Sequence, residues 1–237
     1  EIPRKNLFIS PPFGNYINLP GVVPIRGSFT LNERPGKWMQ ILKTLRYIPG
    51  VGWINKIGLR NPGIDYAVKT YKKGEIISIA IMNKYEIGQI LKKIPDDMDI
   101  ELNISCPNTD KHMISNGLKP FLNNKRNWCI VKLSPLERCL TIQNLYDEGF
   151  RQFHASNTLP TEKGGISGKT LKPHTISLIR YIKNSWNDTV VIAGGGIRTM
   201  KDVEEYKKVG ADHFSVSSLC FNPIAFLNFY YEFTNPF

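Results

Sequence analysis

Ile76-Ile77-Ser78-Ile79-Ala80-Ile81, then Lys84-Tyr85-Glu86-Ile87-Gly88-Gln89-Ile90-Leu91-Lys92-Lys93, then Met98-Asp99-Ile100-Glu101-Leu102-Asn103-Ile104 reads as strand, helix and strand in succession. The first run is β-branched and apolar. The second sets Ile87, Ile90 and Leu91 on one helical face, and the third alternates polar with apolar residues. Two strands joined through a helix pair in parallel by a right-handed crossover. The same alternation continues outward. Trp128 to Leu133 is a strand, and a helix from about Leu136 to Glu148 closes on Gly149. Phe153 to Ser156 and Thr189 to Ala193 are strands on either side of a helix from Pro173 to Ser185. Thr199 caps a helix from Met200 to Val209, Asp212 to Val216 is a strand, and Asn222-Pro223 opens a last helix. Leu7-Phe8-Ile9 and Val22-Val23-Pro24-Ile25 complete eight strands, which predicts an α/β fold, a (β/α)8 TIM barrel, with an open doubly wound sheet as the alternative that counting alone leaves open. Gly27 to Gly52, broken by Pro35, Gly36, Pro49 and Gly50, reads as an irregular excursion over the barrel mouth. One domain spanning residues 1–237 is expected.

Composition narrows the classes of function. The 237 residues carry a formal net charge of +11. The lysines are scattered along helical faces, as in Lys72-Lys73, Lys92-Lys93 and Lys207-Lys208, with no basic stripe interleaved with aromatics, so nucleic acid is not expected as a partner. No apolar run is long enough to span a bilayer, and the first residues do not resemble a signal peptide. Cysteines at 106, 129, 139 and 220 form no C-x-x-C pair, which suits a reducing cytoplasm and predicts neither disulfides nor a metal site.

Chemistry-bearing residues collect at strand ends, where barrels bind ligands. Asn103-Ile104-Ser105-Cys106-Pro107-Asn108 sets a thiol between two carboxamides, and Pro107 must end the strand. Most isolated cysteines are small buried hydrophobes, and here the polar neighbours argue for a site. Lys132 ends an apolar strand and must reach solvent, an anion or a polarised carbonyl. Ser156-Asn157-Thr158 follows the sixth strand. Gly164-Gly165-Ile166-Ser167-Gly168 and Gly194-Gly195-Gly196, with Ser217-Ser218 after the eighth strand, suit a phosphate.

In this order, these motifs together with Trp53-Ile54-Asn55-Lys56-Ile57-Gly58-Leu59-Arg60-Asn61-Pro62-Gly63 and Leu171-Lys172-Pro173 resemble the dihydroorotate dehydrogenase family, from about residue 53 to the end. The resemblance implies FMN over the barrel mouth, contacted by Gly14, Arg26, Asn103, Lys132, Asn157, Gly168, Gly195, Gly196, Ser217 and Ser218. Arg26 would stand where the family has a lysine. The short span from Gly14 to Arg26 implies a shortened first βα unit. Asn55, Gly58, Leu59, Asn103, Asn108, Asn157 and Thr158 would hold a small-molecule pyrimidine and its carboxylate.

Cys106 would be the base, as in the family's soluble class, and a thiol with a pKa near ~8.5 serves better near neutrality than an alcohol. Lys132 would sit beside the flavin ring. Cys106 and Lys132 are thus the expected catalytic residues of an enzyme oxidising dihydroorotate to orotate in pyrimidine biosynthesis. A homodimer without membrane attachment is the family expectation. The alternatives are a flavin oxidoreductase acting on another dihydropyrimidine, and a non-catalytic flavin- or nucleotide-binding barrel.

Overall fold

Strand β1 (Leu7–Ile9) enters the fold first, followed by β2 (Val22–Phe29), helix α1 (Lys37–Thr44), β3 (Arg46–Ile48), β4 (Gly52–Asn55) and α2 (Ile64–Thr70). Then come β5 (Ile76–Ala80), α3 (Tyr85–Lys93), β6 (Ile100–Asn103), β7 (Cys129–Lys132), α4 (Cys139–Glu148) and β8 (Gln152–Ala155). The chain ends through β9 (Leu159–Thr161), β10 (Gly164–Ser167), α5 (Lys172–Ser185), β11 (Val190–Gly194), α6 (Met200–Lys208), β12 (His213–Val216) and α7 (Pro223–Thr234). The structure is a computed structural model describing residues 6–105 and 116–235.

Eight of these strands close a barrel in the order β1-β12-β11-β8-β7-β6-β5-β2, every pair parallel. They are the eight read from the sequence. Between β1 and β2 there is only a 3-10 turn, Phe13–Asn15, so the first βα unit lacks its helix. The reading of residues 27–52 needs correcting. β2 runs on to Phe29, and the segment then forms α1 and β3 before β4. The breakers bracket that helix: Gly36 caps it at φ 91°, and Gly50 turns the chain at φ 78° into β4. α1 buries none of its residues, so no core-facing stripe announced it. β3 and β4 join the β9–β10 hairpin in an antiparallel sheet ordered β3-β4-β10-β9.

Strand alternation builds the core in two shells. Outward-facing Leu7, Ile77, Ile79, Ile100, Leu102, Val131, Phe153, Val191 and Phe214 pack beneath the helices. Inward-facing Phe8, Ile25, Ile76, Ile130 and Ile192 plug the barrel floor, each fully buried. Burying each contributes roughly 1.5–3 kcal/mol. The helix ends carry the expected chemistry. Gly149 closes α4 at φ 112°, Thr199 and Asp202 form a capping box on α6, and the Asn222 side chain accepts from the Ala225 N–H at 3.1 Å. Among the described residues, no helix is long and apolar enough to cross a membrane.

Candidate active site

Two residues above the floor the inward positions turn polar. Ser78 lies on β5, Glu101 and Asn103 on β6, Lys132 on β7, His154 on β8 and Ser215 on β12, all buried. Strand pairing sets Ser78 against Glu101, Asn103 against Lys132, and Lys132 against His154. Over them opens a cavity of about 360 Å³, a volume suited to a small molecule. Its wall is aromatic and aliphatic toward α1 and β4, where Trp53 stacks on Phe221 at 4.0 Å and Phe13 meets the same ring edge-on at 4.8 Å. Elsewhere the wall is hydroxyl, amide and glycine backbone. Among the described residues, Lys37 and Lys132 are its formal charges, and it has no carboxylate.

Of the residues named from the sequence, Asn55, Lys132, Asn157, Thr158, Gly168, Gly195, Gly196, Ser217 and Ser218 line this cavity. The ends of β11 and β12 bring together Gly195, Gly196, Ser217 and Ser218, and the Ser217 hydroxyl donates to the Pro11 carbonyl at 3.1 Å. Asn103 lies just behind the wall and reaches it through Asn157, whose Nδ2 donates to Asn103 Oδ1 at 3.1 Å. Cys106 and Asn108 lie outside the described residues.

Four residues stand elsewhere. Arg26 follows inward-facing Ile25 and so faces outward, where its guanidinium donates to Glu75 and to the Thr70 carbonyl, each at 2.9 Å. Gly14 is buried in the turn after β1, where a Cβ would collide with the Ile9 and Ile25 carbonyls; its packing seats the neighbouring Phe13 in the wall. Gly58 and Leu59 hold left-handed conformations at φ 70° and 55°, off the described wall, and Asn61 Nδ2 fixes that turn by donating to the Leu59 carbonyl at 2.7 Å.

The electrostatics centre on Glu101. Ser78 Oγ donates to its Oε1 at 2.8 Å, His154 Nδ1 bonds its Oε2 at 2.7 Å, and Lys132 Nζ stands 3.9 Å from Oε1. Burial works to raise the Glu101 pKa, but the Lys132 charge and the bonds from His154 and Ser78 prevail and hold it at about 2. Burial lowers the His154 pKa despite that bond, so the imidazole is neutral near pH 7. Because an ionised carboxylate only accepts, Nδ1 carries the proton and Nε2 is an acceptor. Burial pushes the thiols of Cys129 and Cys220 up to about 12, which disqualifies both as bases near neutrality. Cys139 is exposed at the start of α4 and off the wall.

Ser156, named with Asn157 and Thr158 at the end of the sixth strand, also lines the wall, whereas His154, Ser10 and Ser215 belong to it but were not singled out from the sequence. Ser10 and Ser215 share a hydrogen bond of 2.6 Å. Strand parity carried the signal for His154, since it lies between the outward-facing Phe153 and Ala155.

Comparison with known proteins bears on what such a mouth does. The family model described as dihydroorotate dehydrogenase matches residues 136–227. The catalytic subunit of dihydroorotate dehydrogenase B (NAD(+)) from Thermotoga maritima is 30% identical over 202 residues, covering 71% of this chain and 72% of that protein. The chain belongs to the dihydroorotate dehydrogenase family. The corresponding subunit from Oceanobacillus iheyensis is 31% identical over 208 residues, covering 73% of this chain and 68% of that one. Ligand-free dihydroorotate dehydrogenase from Eimeria tenella shares the fold at a TM-score of 0.68 and 17% identity, over 92% of this chain and 80% of that one. Family membership supports an oxidoreductase of the type that acts on CH–CH bonds.

Proposed function

We propose that this chain is a single FMN-binding barrel domain that oxidises dihydroorotate to orotate. The observation that carries the reading is the cavity wall. Among the described residues its charges are lysines with no carboxylate, its polar groups are amides, hydroxyls and glycine backbone, and one side is aromatic. A planar, amphipathic, anionic cofactor fits that donor set. Ser217, Ser218, Gly195, Gly196 and Gly168 would hold the phosphate, and Lys132 would face the ring system. When bound, FMN supplies a two-electron acceptor for the hydride lost from C6 of the substrate.

The chain's own residues would do the rest. Cys106 is next in sequence to Ser105, whose carbonyl accepts a hydrogen bond from Asn157 Nδ2, and its task would be to take the C5 proton. Asn55, Asn157 and Thr158 would orient the pyrimidine and its carboxylate. Anaerobic mixing of the flavin-loaded protein with dihydroorotate is expected to bleach the flavin and yield orotate, and Cys106→Ala is expected to slow bleaching by at least a hundredfold. Failure to bind FMN, or bleaching unaffected by the substitution, rejects the reading.

One observation favours a second reading. Asn103 and Asn157 are bonded to each other, and Asn103 Nδ2 donates to Ser28 at 3.0 Å, so both amides are largely spent within the protein. A pyrimidine with fewer imide edges than dihydroorotate would tolerate that arrangement. Bleaching by another dihydropyrimidine, with none by dihydroorotate, would select it. Homodimerisation is part of the family expectation, and sedimentation of the loaded protein tests it.

A further inference from the structure

A directional chain of hydrogen bonds leaves the cavity wall at Asn157 and returns to it at His154. Asn157 Nδ2 donates to Asn103 Oδ1 at 3.1 Å, and Asn103 Nδ2 to Ser28 Oγ at 3.0 Å. The Ser28 and Ser78 hydroxyls lie 2.8 Å apart, and Ser78 Oγ donates to Glu101 Oε1 at 2.8 Å. That last bond uses the Ser78 proton, so Ser28 must donate to Ser78. Every donor therefore points at Glu101, and His154 reaches its other oxygen from the opposite side.

Lys132 is the exception. Its ammonium is 3.9 Å from Glu101, close enough for Coulombic attraction and too far for a hydrogen bond, and its side chain is 9% exposed. Among the described residues it has no nearer acidic partner, although Glu101 is fully buried beside it. A buried ammonium beside a buried carboxylate ordinarily closes to a direct hydrogen bond, because both lose solvation. Here Ser78 holds Oε1 and His154 holds Oε2.

We infer that His154 is a positioning residue: its bond to Oε2, with that of Ser78 to Oε1, fixes the carboxylate where Lys132 stands 3.9 Å away, which keeps Glu101 from consuming Lys132 and leaves the ammonium protons to serve a ligand in the cavity. Gly194 makes the arrangement sterically possible, since a Cβ there would come within 2.8 Å of His154 Nε2. The part concerning Glu101 and Lys132 rests on geometry alone. That the ligand served is an anionic flavin rests on the function proposed above.

The test is competitive acetylation of the intact chain without added ligand, with the Lys132 peptide followed by mass spectrometry and folding by circular dichroism. His154→Phe is expected to lower the reactivity of Lys132 about tenfold, the effect of closing one charge-assisted hydrogen bond. His154→Gln, whose amide can still donate to Oε2, is expected to restore most of it. Ser78→Ala removes one hydroxyl from the other oxygen and is expected to act like His154→Phe, which keeps the test decisive should the imidazole prove necessary for folding. Unchanged Lys132 reactivity in folded His154→Phe or folded Ser78→Ala overturns the inference. FMN titration of the same proteins separates the two claims: a wild-type chain that binds no FMN rejects the flavin reading and leaves the labelling result standing.

Discussion

At the level of Ile130 and Ile192 the barrel is filled by apolar side chains; two residues further along the same strands, Lys132 and Gly194 face a cavity rimmed by amides and hydroxyls. Floor and mouth are thus contributed by the same strands, about 7 Å apart. In the floor, Phe8 meets Trp128 edge-on at 5.2 Å, and order comes from shape. In the mouth, order comes from donors and acceptors matched around Glu101. A packed floor lets charged groups be held in fixed places above it, because the backbone that carries them cannot shift without opening a void.

The comparison breaks first if the floor is damaged and the mouth goes with it. Phe8→Ala removes a fully buried ring, and a loss of about 3–5 kcal/mol in urea denaturation is expected, with FMN affinity of the folded protein within threefold of wild type. A parallel loss of affinity would mean that the two layers are not separable. Acid should strike the mouth instead. The depression of Glu101 from 4.5 to about 2 amounts to roughly 3 kcal/mol of stability. That contribution is present in full above pH 4.5 and is lost as the pH falls toward 2. Urea midpoints measured between pH 6 and pH 2.5 should therefore fall more steeply in wild type than in Glu101→Gln. Equal slopes would place the acid sensitivity elsewhere. Lys132→Met should weaken FMN binding by roughly tenfold to a hundredfold, the size of one or two charge-assisted bonds. It should also move the acid transition to higher pH, since the Lys132 charge helps to hold Glu101 ionised.

The floor was easier to read in the sequence than the mouth, for a physical reason. Ile76, Ile130 and Ile192 lie in apolar runs whose length and flanking turns give the strand directly, and eight such runs gave the barrel. Lys132 was conspicuous as a charge in such a run. His154 was not, because one histidine inside Phe153-His154-Ala155 differs little from a satisfied core residue until Glu101 is placed beside it by β6, β7 and β8 lying side by side. Arg26 erred in the other direction. The resemblance sets Arg26 where the family has a lysine and so in the mouth, but the parity set by Ile25 turns it outward onto Glu75. α1 and β3 were hidden because a segment lying over the barrel mouth needs no stripe buried in the core. The mutual bonding of Asn103 and Asn157 depends on a tertiary contact between residues 54 positions apart, which no local pattern encodes.

The smallest effect comes from outside both layers. Thr199 caps α6, and Asp202 answers it by accepting from the Thr199 N–H at 2.9 Å while also pairing with Lys172 at 2.6 Å. Lys172 lies against Gly196, where a Cβ would come within 2.9 Å of its side chain, so the cap is two contacts removed from the loop proposed to hold phosphate. Thr199→Ala removes the hydroxyl of the cap and leaves Asp202 on Lys172. A loss of about 1 kcal/mol is expected, read as a lower urea midpoint, with FMN affinity within twofold of wild type. Should affinity fall further than stability, the outer shell would be tuning the mouth through Asp202, Lys172 and Gly196, and the separation between what holds the barrel and what binds the ligand would have to be redrawn to include the helix ends behind β11.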